Sequence, residues 1–365
     1  MLMNQIIREK GSKFYKYIKL EMMFAKKSEF VRKRPELVKL WKHKFRQMIR
    51  YSSDRLFPIA EEFLNVKLEK ISENAWEPLG ENEPILVCVV KNDIEKMKQF
   101  MPYYRELGIR HFVFVDNAST DGTFEFLCSQ KETILYRCMH PFTADRKIAW
   151  IDRILAELGD EKWYLMVDSD EFVTYLGEKE HKIEEFVKRN AELGRGRIGS
   201  FMLDMYPKEE LFKSKGVTDF IEDFCYFDKD TYQVMQARNG LKIKGGPRFR
   251  KFGTDMKLSK YCLFYFDRDD IVPSAHIHIP FEKSLNMPVN IAIKHYKFLN
   301  QSDFDKVIEA VETGMHSEGS KEYKTYLEGI SESGRVIFYD EEHSLRFSED
   351  NLRKIGFLED VFQKD

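Results

Sequence analysis

Between residues 84 and 205 the apolar positions fall into short unbroken runs, and most of these runs stop at a cluster of acids, amides or glycines. Residues 85–90 read Ile-Leu-Val-Cys-Val-Val and residues 109–115 read Ile-Arg-His-Phe-Val-Phe-Val. Residues 163–172 read Trp-Tyr-Leu-Met-Val-Asp-Ser-Asp-Glu-Phe, and residues 198–205 read Ile-Gly-Ser-Phe-Met-Leu-Asp-Met. Runs rich in β-branched and aromatic residues, without polar alternation, predict strands buried on both faces, as in parallel sheets covered by helices. Residues 94–107 carry a helical period that ends at Gly108, residues 123–129 read as a helix, and residues 148–158 read as another. Strand, helix, strand, turn, helix opens a series of right-handed βαβ units and predicts an α/β domain.

On either side the pattern is helical. Residues 1–80 read as helices without strands: Phe14, Tyr15, Ile18 and Leu20 alternate with Lys13, Lys16 and Lys19, and Leu37, Leu40, Trp41, Phe45 and Ile49 follow at three- and four-residue spacing. Residues 301–365 are charged and helical, with Tyr323, Tyr326, Leu327 and Ile330 spaced as one buried face. The expected division is therefore a basic helical region at 1–80, an α/β domain at 81–300 and a helical extension at 301–365.

Net charge is only -2, yet residues 1–55 hold sixteen Lys or Arg against five acids. Three readings of this basic region compete: packing on the main domain or on a second subunit of a homo-oligomer, docking on an anionic membrane surface, and nucleic-acid binding. The last lacks a recognisable module, so no nucleic acid is expected. The five cysteines are odd in number and show no Cys-x-x-Cys spacing, which fits a reducing cytosol better than a disulfide framework or a zinc site. No apolar run reaches the roughly 20 residues of a membrane span. A cytoplasmic protein is expected, with the inner face of the cytoplasmic membrane as its docking surface under the second reading.

The candidate chemistry lies at the strand ends. Asp168, Asp170 and Glu171 close the run at 163–172, and Asp116 closes the run at 109–115, so acids from two strands should meet at one rim of the sheet. If the strand continues through the acids, Asp168 and Asp170 share a face, and paired hard oxygen ligands suit Mg²⁺ or Mn²⁺ carrying substrate phosphates. The competing structural account is a surface turn in which Asp168 caps a helix. For Asp116-Asn-Ala-Ser-Thr-Asp-Gly122 the plain account is Ser119 or Thr120 as a helix cap.

Taken in order, Lys91-Asn92-Asp93, Asp116 to Gly122 and Asp168-Ser-Asp-Glu-Phe172 resemble the family-2 glycosyltransferases with a GT-A fold, the Rossmann-like mixed sheet of nucleotide-diphospho-sugar transferases. They are most similar to a bacterial branch with Lys-Asn-Glu, Asp-Asn-x-Ser-x-Asp-Gly and Asp-x-Asp-Glu-Phe signatures, over residues 84–300; position 93 departs, being Asp rather than Glu. The resemblance implies that Asp116 binds the base of a nucleotide-sugar, that Asp168 lies near the ribose and the metal, and that Asp170 ligates Mn²⁺ or Mg²⁺. Asp145 and Lys147 occupy the place of donor-contacting residues, with a helix start capped by Asp145 as the alternative. His295, in a stretch similar to the His-x-Lys-Phe-Leu that closes the domain in this branch, becomes a third metal ligand.

Three further segments draw attention. Asp204 is an acid within an apolar strand, costly unless it faces a site or is paired, and is the first candidate for the catalytic base of an inverting transfer, with Glu171 and Asp270 left open. Gly245-Gly246-Pro247-Arg248 resembles a Gly-Gly-x-Arg stretch of the same branch; Arg248 or Arg250 could clamp a phosphate, and a tight turn between strands is the rival. His276 and His278 alternate with isoleucines, which predicts a half-buried strand with both rings on its polar face.

The expected function is a metal-dependent, inverting transfer of a sugar from a UDP- or GDP-sugar to a hydroxyl of a surface glycan or lipid-linked glycan. The rivals are a sugar-phosphate nucleotidyltransferase, for which the first strand should lead into a Gly-rich phosphate loop rather than Lys91-Asn92-Asp93, and a non-catalytic adaptor docked on a membrane or partner.

Overall fold

A computed structural model of the chain describes residues 15–25, 42, 46, 49, 56–65, 67–72, 76–211, 219–267, 269–299, 303, 305, 308, 324–329 and 336–363. The chain is a mixed α/β protein in which a six-stranded and a four-stranded sheet are joined through the acidic turn.

After helix α1 (Leu56–Asn65) and a short strand β1 (Glu69–Lys70), β2 (Pro84–Val90) leads to α2 (Ile94–Leu107) and β3 (His111–Asp116). Then come α3 (Thr123–Cys128), β4 (Thr133–Arg137), α4 (Ala144–Leu158) and β5 (Lys162–Met166). β3 and β5 both pair in parallel with β2, and β4 pairs in parallel with β3. The edges are antiparallel: β1 on β4, and a later strand, Leu263–Phe266, on β5. Side-chain alternation divides the core. Leu86, Cys88 and Val90 face Met97, Phe100 and Tyr104 of α2, whereas Ile85 and Val87 face Trp150, Ile151 and Ile154 of α4. The chain runs outward from β2 to β4 and returns to β5 on the other side of β2, so the crevice between the carboxyl ends of β2 and β5 is the switch point where such sheets bind ligands.

The second sheet begins at the acids. The strand does not continue through the acids: β5 ends at Met166, a turn holds Asp168 to Asp170, and β6 (Glu171–Thr174) starts a new sheet. In chain order follow α5 (Ile183–Glu192), β7 (Gly199–Asp204), β8 (Tyr226–Asp228), β9 (Tyr232–Ala237), β10 (Gly240–Gly245), α6 (Gly246–Phe252), β11 (Ser259–Lys260) and β12, the edge strand Leu263–Phe266. Next are β13 (Ile271–Ser274), β14 (Ile277–Ile279), β15 (Val289–His295) and β16 (Ser344–Arg346). The second sheet has the order β11-β7-β15-β6, with β15 parallel to β7 and antiparallel to β6.

The flanking regions differ from expectation in containing strands, β1 and β16, each an antiparallel partner to a strand of the main domain. They also share its core. Leu20 and Phe24 on the helical segment 15–25, with Ile59 and Phe63 of α1, pack on Ile148 and Ala149 of α4. At the other end, Tyr326, Val336, Phe338 and Leu352 join the principal core. Tyr323 and Ile330, expected on the face of Tyr326, lie outside the described residues. No described helix is long and apolar enough to cross a membrane, and all five cysteines are free thiols.

Candidate functional site

The loops at the carboxyl ends of the strands are knitted together before any ligand is considered. Asn92 accepts from the Thr120 backbone N–H at 2.8 Å while its own N–H donates to Ser119 Oγ at 3.0 Å. Asp121 accepts from the N–H groups of Ile94, at the start of α2, and of Thr123, at the start of α3. That role replaces the expected caps: α3 has Gly122 at its N-cap, and neither Ser119 nor Thr120 caps it. Asp93 accepts from Ser169 Oγ at 2.8 Å and meets Lys96, which in turn pairs with Asp303 at 2.6 Å. The Lys-Asn-Asp strand end thus holds the turn that carries Asp168 and Asp170.

Because the strand breaks at Met166, the two aspartates diverge. Asp168 turns toward Lys147 and forms an ion pair with it. Burial pushes the Asp168 carboxyl upward, but the ammonium groups of Lys147 and Lys260 outweigh it and hold the acid well below the usual range. Asp170 turns the other way, toward His295 Nε2 at 3.6 Å. Register explains the rest of the cluster: His295 on β15 lies opposite Glu171 on β6 and Asp204 on β7, and opposed residues project from the same face of a sheet. Ligand atoms of Asp170, Glu171 and His295 consequently lie within 4.8 Å of one another. Glu171, not Asp168, is the second carboxylate of this group.

Glu171 is buried and pairs with Lys260 on β11, whose ammonium is raised in pKa: burial lowers it, and Glu171 and Asp168 more than compensate. Lys260 carries no local sequence signal; it reaches the site only because β11 pairs with β7. Beside these ion pairs opens a cleft of about 330 Å³, with Val87, Val89, Phe142 and Ile148 along its apolar wall and Lys147, Asp168, Glu171 and Lys260 at its polar end. It occupies the switch point between β2 and β5.

The remaining candidates fall elsewhere. Asp145 lies in the first turn of α4 but does not cap it; Thr143 does, accepting from the Arg146 N–H at 3.1 Å, and of the Asp145–Lys147 pair only Lys147 lines the cleft. Asp116 is fully buried, accepting from the Ser119 N–H at 3.2 Å and facing Arg137 at 3.5 Å; burial raises its pKa despite these partners. Asp204, the expected base, has both oxygens engaged, one by His295 Nδ1 at 2.7 Å and the other by Arg248 Nε at 2.7 Å, and is 4% exposed. Burial pushes its carboxyl up, yet Arg248 and His295 hold it at about 2. Asp204 is thus enclosed, with both oxygens bound, and holds the His295 ring through its Nδ1.

Arg248 is correspondingly a buried partner of Asp204, with a further bond to the Tyr326 hydroxyl at 3.0 Å, and Arg250 grips Asp228. The two glycines before them make no ligand cradle and no hairpin turn. Gly245, at φ 113°, ends β10 where a Cβ would sit 2.0 Å from the Thr231 carbonyl oxygen, and α6 starts at Gly246. Asp270 is equally enclosed, between Arg197 at 2.8 Å and Lys283 at 2.9 Å.

The two histidines do not share one polar face: His276 precedes β14 and is part-buried, while His278 and Ile279 are both buried. His278 is buried edge-on against Phe264, with ring centroids 4.6 Å apart, whereas Ile277 is half-exposed. Burial drives both imidazoles toward the neutral form, His276 down to about 3 with help from Lys260, and His278 well below its ordinary value. An unfolded histidine takes its proton near pH 6.5, so below that pH the unfolded chain binds more protons than the fold. Stability should be fully present above about pH 6.5 and fall as pH drops toward 3, by a few kcal/mol per group. Urea unfolding between pH 7 and 4 reads this slope, and His278→Phe should flatten it; an unchanged slope would refute the assignment.

No known protein family and no curated protein matches the chain. Among solved structures the chain is similar to S. aureus TarS 1–349, at 14% identity and a TM-score of 0.24, over 38% of its own length. The likeness spans 43% of that chain, less than half of it.

Proposed function

We propose that the protein is a metal-dependent glycosyltransferase with a GT-A arrangement, moving a sugar from a nucleotide-sugar to a glycan hydroxyl. One observation carries this reading: Asp170, Glu171 and His295, from a turn and two strands, converge beside a cleft at the switch point of a parallel sheet. Two carboxylates and an imidazole are a donor set suited to Mn²⁺ or Mg²⁺. When bound, the ion would neutralise charge developing on a departing nucleoside diphosphate.

The chain's own groups have complementary work. Lys147 and Lys260 supply positive charge at the polar end of the cleft, where diphosphate oxygens would compete with Asp168 and Glu171 for them. The apolar wall formed by Val87, Val89, Phe142 and Ile148 suits a planar base or sugar face. Asp204 and Arg248 keep His295 Nε2 turned toward Asp170. Adaptor function leaves this convergence of acids and lysines unexplained.

The test is thermal denaturation with Mn²⁺ and each of UDP, GDP, CDP and dTDP. One nucleotide should stabilise the protein only when Mn²⁺ is present, by about 2.7 kcal/mol at a hundredfold excess over Kd. Equal melting with and without every nucleotide would count decisively against the reading.

A further inference from the structure

Lys294 precedes His295 on β15 and therefore points to the other face of the strand, away from the acid cluster. There it lines a separate cavity of about 180 Å³ together with Tyr296, Arg346, Glu222 and Cys225. Lys294 is only 6% exposed. Its ammonium lies 4.5 Å from the Tyr103 ring centre and 4.9 Å from that of Phe347, and among the described residues it has neither a carboxylate partner nor a hydrogen-bond acceptor.

Tyr296 adds an unpartnered donor to the same space. Its backbone N–H donates to the Asp170 carbonyl at 2.9 Å, but its fully buried hydroxyl has no hydrogen-bond partner. Arg346 contributes an exposed guanidinium that makes no ion pair among the described residues, and Glu222, also exposed, is the single acid of the lining. Buried donors without acceptors are costly, and natural proteins seldom retain them without a use. Here an ammonium, a phenol and a guanidinium meet in one cavity that offers a single, exposed carboxylate.

We propose that this cavity is a binding site for a small oxyanion, the phosphate or carboxylate group of a ligand. Lys294 and Arg346 supply charge and the Tyr296 hydroxyl donates the directional hydrogen bond. The cavity abuts Met205 and Tyr296, the residues that directly follow Asp204 and His295, so the anion sits against the back of the acid cluster. The site does not depend on a metal and stands whether or not the proposed transfer is correct.

The test is calorimetric titration of the full chain with inorganic phosphate and, separately, with glucuronate, in EDTA so that no metal-held phosphate contributes. Wild type should bind at least one probe saturably; the tighter of the two tells a phosphoryl ligand from a carboxylate ligand. Lys294→Met should weaken that binding by roughly tenfold or more, and Arg346→Gln, at an exposed position, by several-fold. Tyr296→Phe should weaken it too without lowering the melting temperature of the ligand-free protein, because the hydroxyl it removes is unpaired. Lys147→Met, which alters the other cleft, reports any probe that binds there instead. Failure of wild type to bind either probe, wild-type affinity in both Lys294→Met and Arg346→Gln, or loss in Lys147→Met with retention in Lys294→Met would overturn the proposal.

Discussion

Asp170→Asn is expected to eliminate Mn²⁺-dependent nucleoside diphosphate binding and to lower sugar transfer by about 10²–10³-fold or more, while the protein still folds. The fold should survive because the Asp170 carboxylate lies in a turn at the cleft and holds no element in place; it is the Asp170 carbonyl that accepts from the Tyr296 N–H, and substitution leaves that bond intact. The amide keeps the side chain's shape but removes the charge, so the cluster with Glu171 and His295 loses a hard anionic donor. Manganese titration followed by electron paramagnetic resonance measures the affinity directly, and nucleotide release measures turnover. Wild-type Mn²⁺ affinity in the variant would remove Asp170 from the ligand set.

Asp204→Ala should cost about 3–5 kcal/mol of stability, the amount typical of a buried ion pair broken on one side. Arg248 is 2% exposed and would retain its charge without the carboxylate, and His295 Nδ1 would lose its acceptor. The double variant Asp204→Ala/Arg248→Met should recover part of the loss, since it removes the stranded charge as well. Asp204→Asn, which keeps the shape, should be milder in stability and lower metal affinity roughly 10–100-fold through a misoriented His295. A catalytic base would behave differently, giving a stable variant with normal metal affinity and a transfer rate reduced by about 10²–10⁴. Denaturant unfolding alongside Mn²⁺ titration separates the two outcomes.

Several features of the site were legible one residue at a time. The apolar runs at 85–90, 112–115 and 163–167 announced strands through composition alone, because a strand covered on both faces has no polar position to interrupt it. The acids at their ends marked the ligand rim for the same reason: carboxylates are seldom buried without partners. By contrast, the pattern did not decide whether the strand breaks after Met166. The acids at 168–171 suit either a continuing strand or a turn, and pairing of Glu171 with His295 in a second sheet decides for the turn and sends Asp168 and Asp170 apart.

What the chain's order of residues decided by itself was local: which segments are strands, which acids stand at strand ends, and that cations crowd the first 55 positions. Partnership was decided by tertiary structure. Lys260 meets Glu171 across 89 positions and Asp204 meets His295 across 91, through strand registers that no spacing encodes. The same cause encloses Asp204, Arg248 and Asp270 in ion pairs and sets Glu171, rather than Asp168, beside Asp170 and His295. A side chain's chemistry depends on the charge and solvent around it, and those neighbours are brought together only when distant strands come side by side.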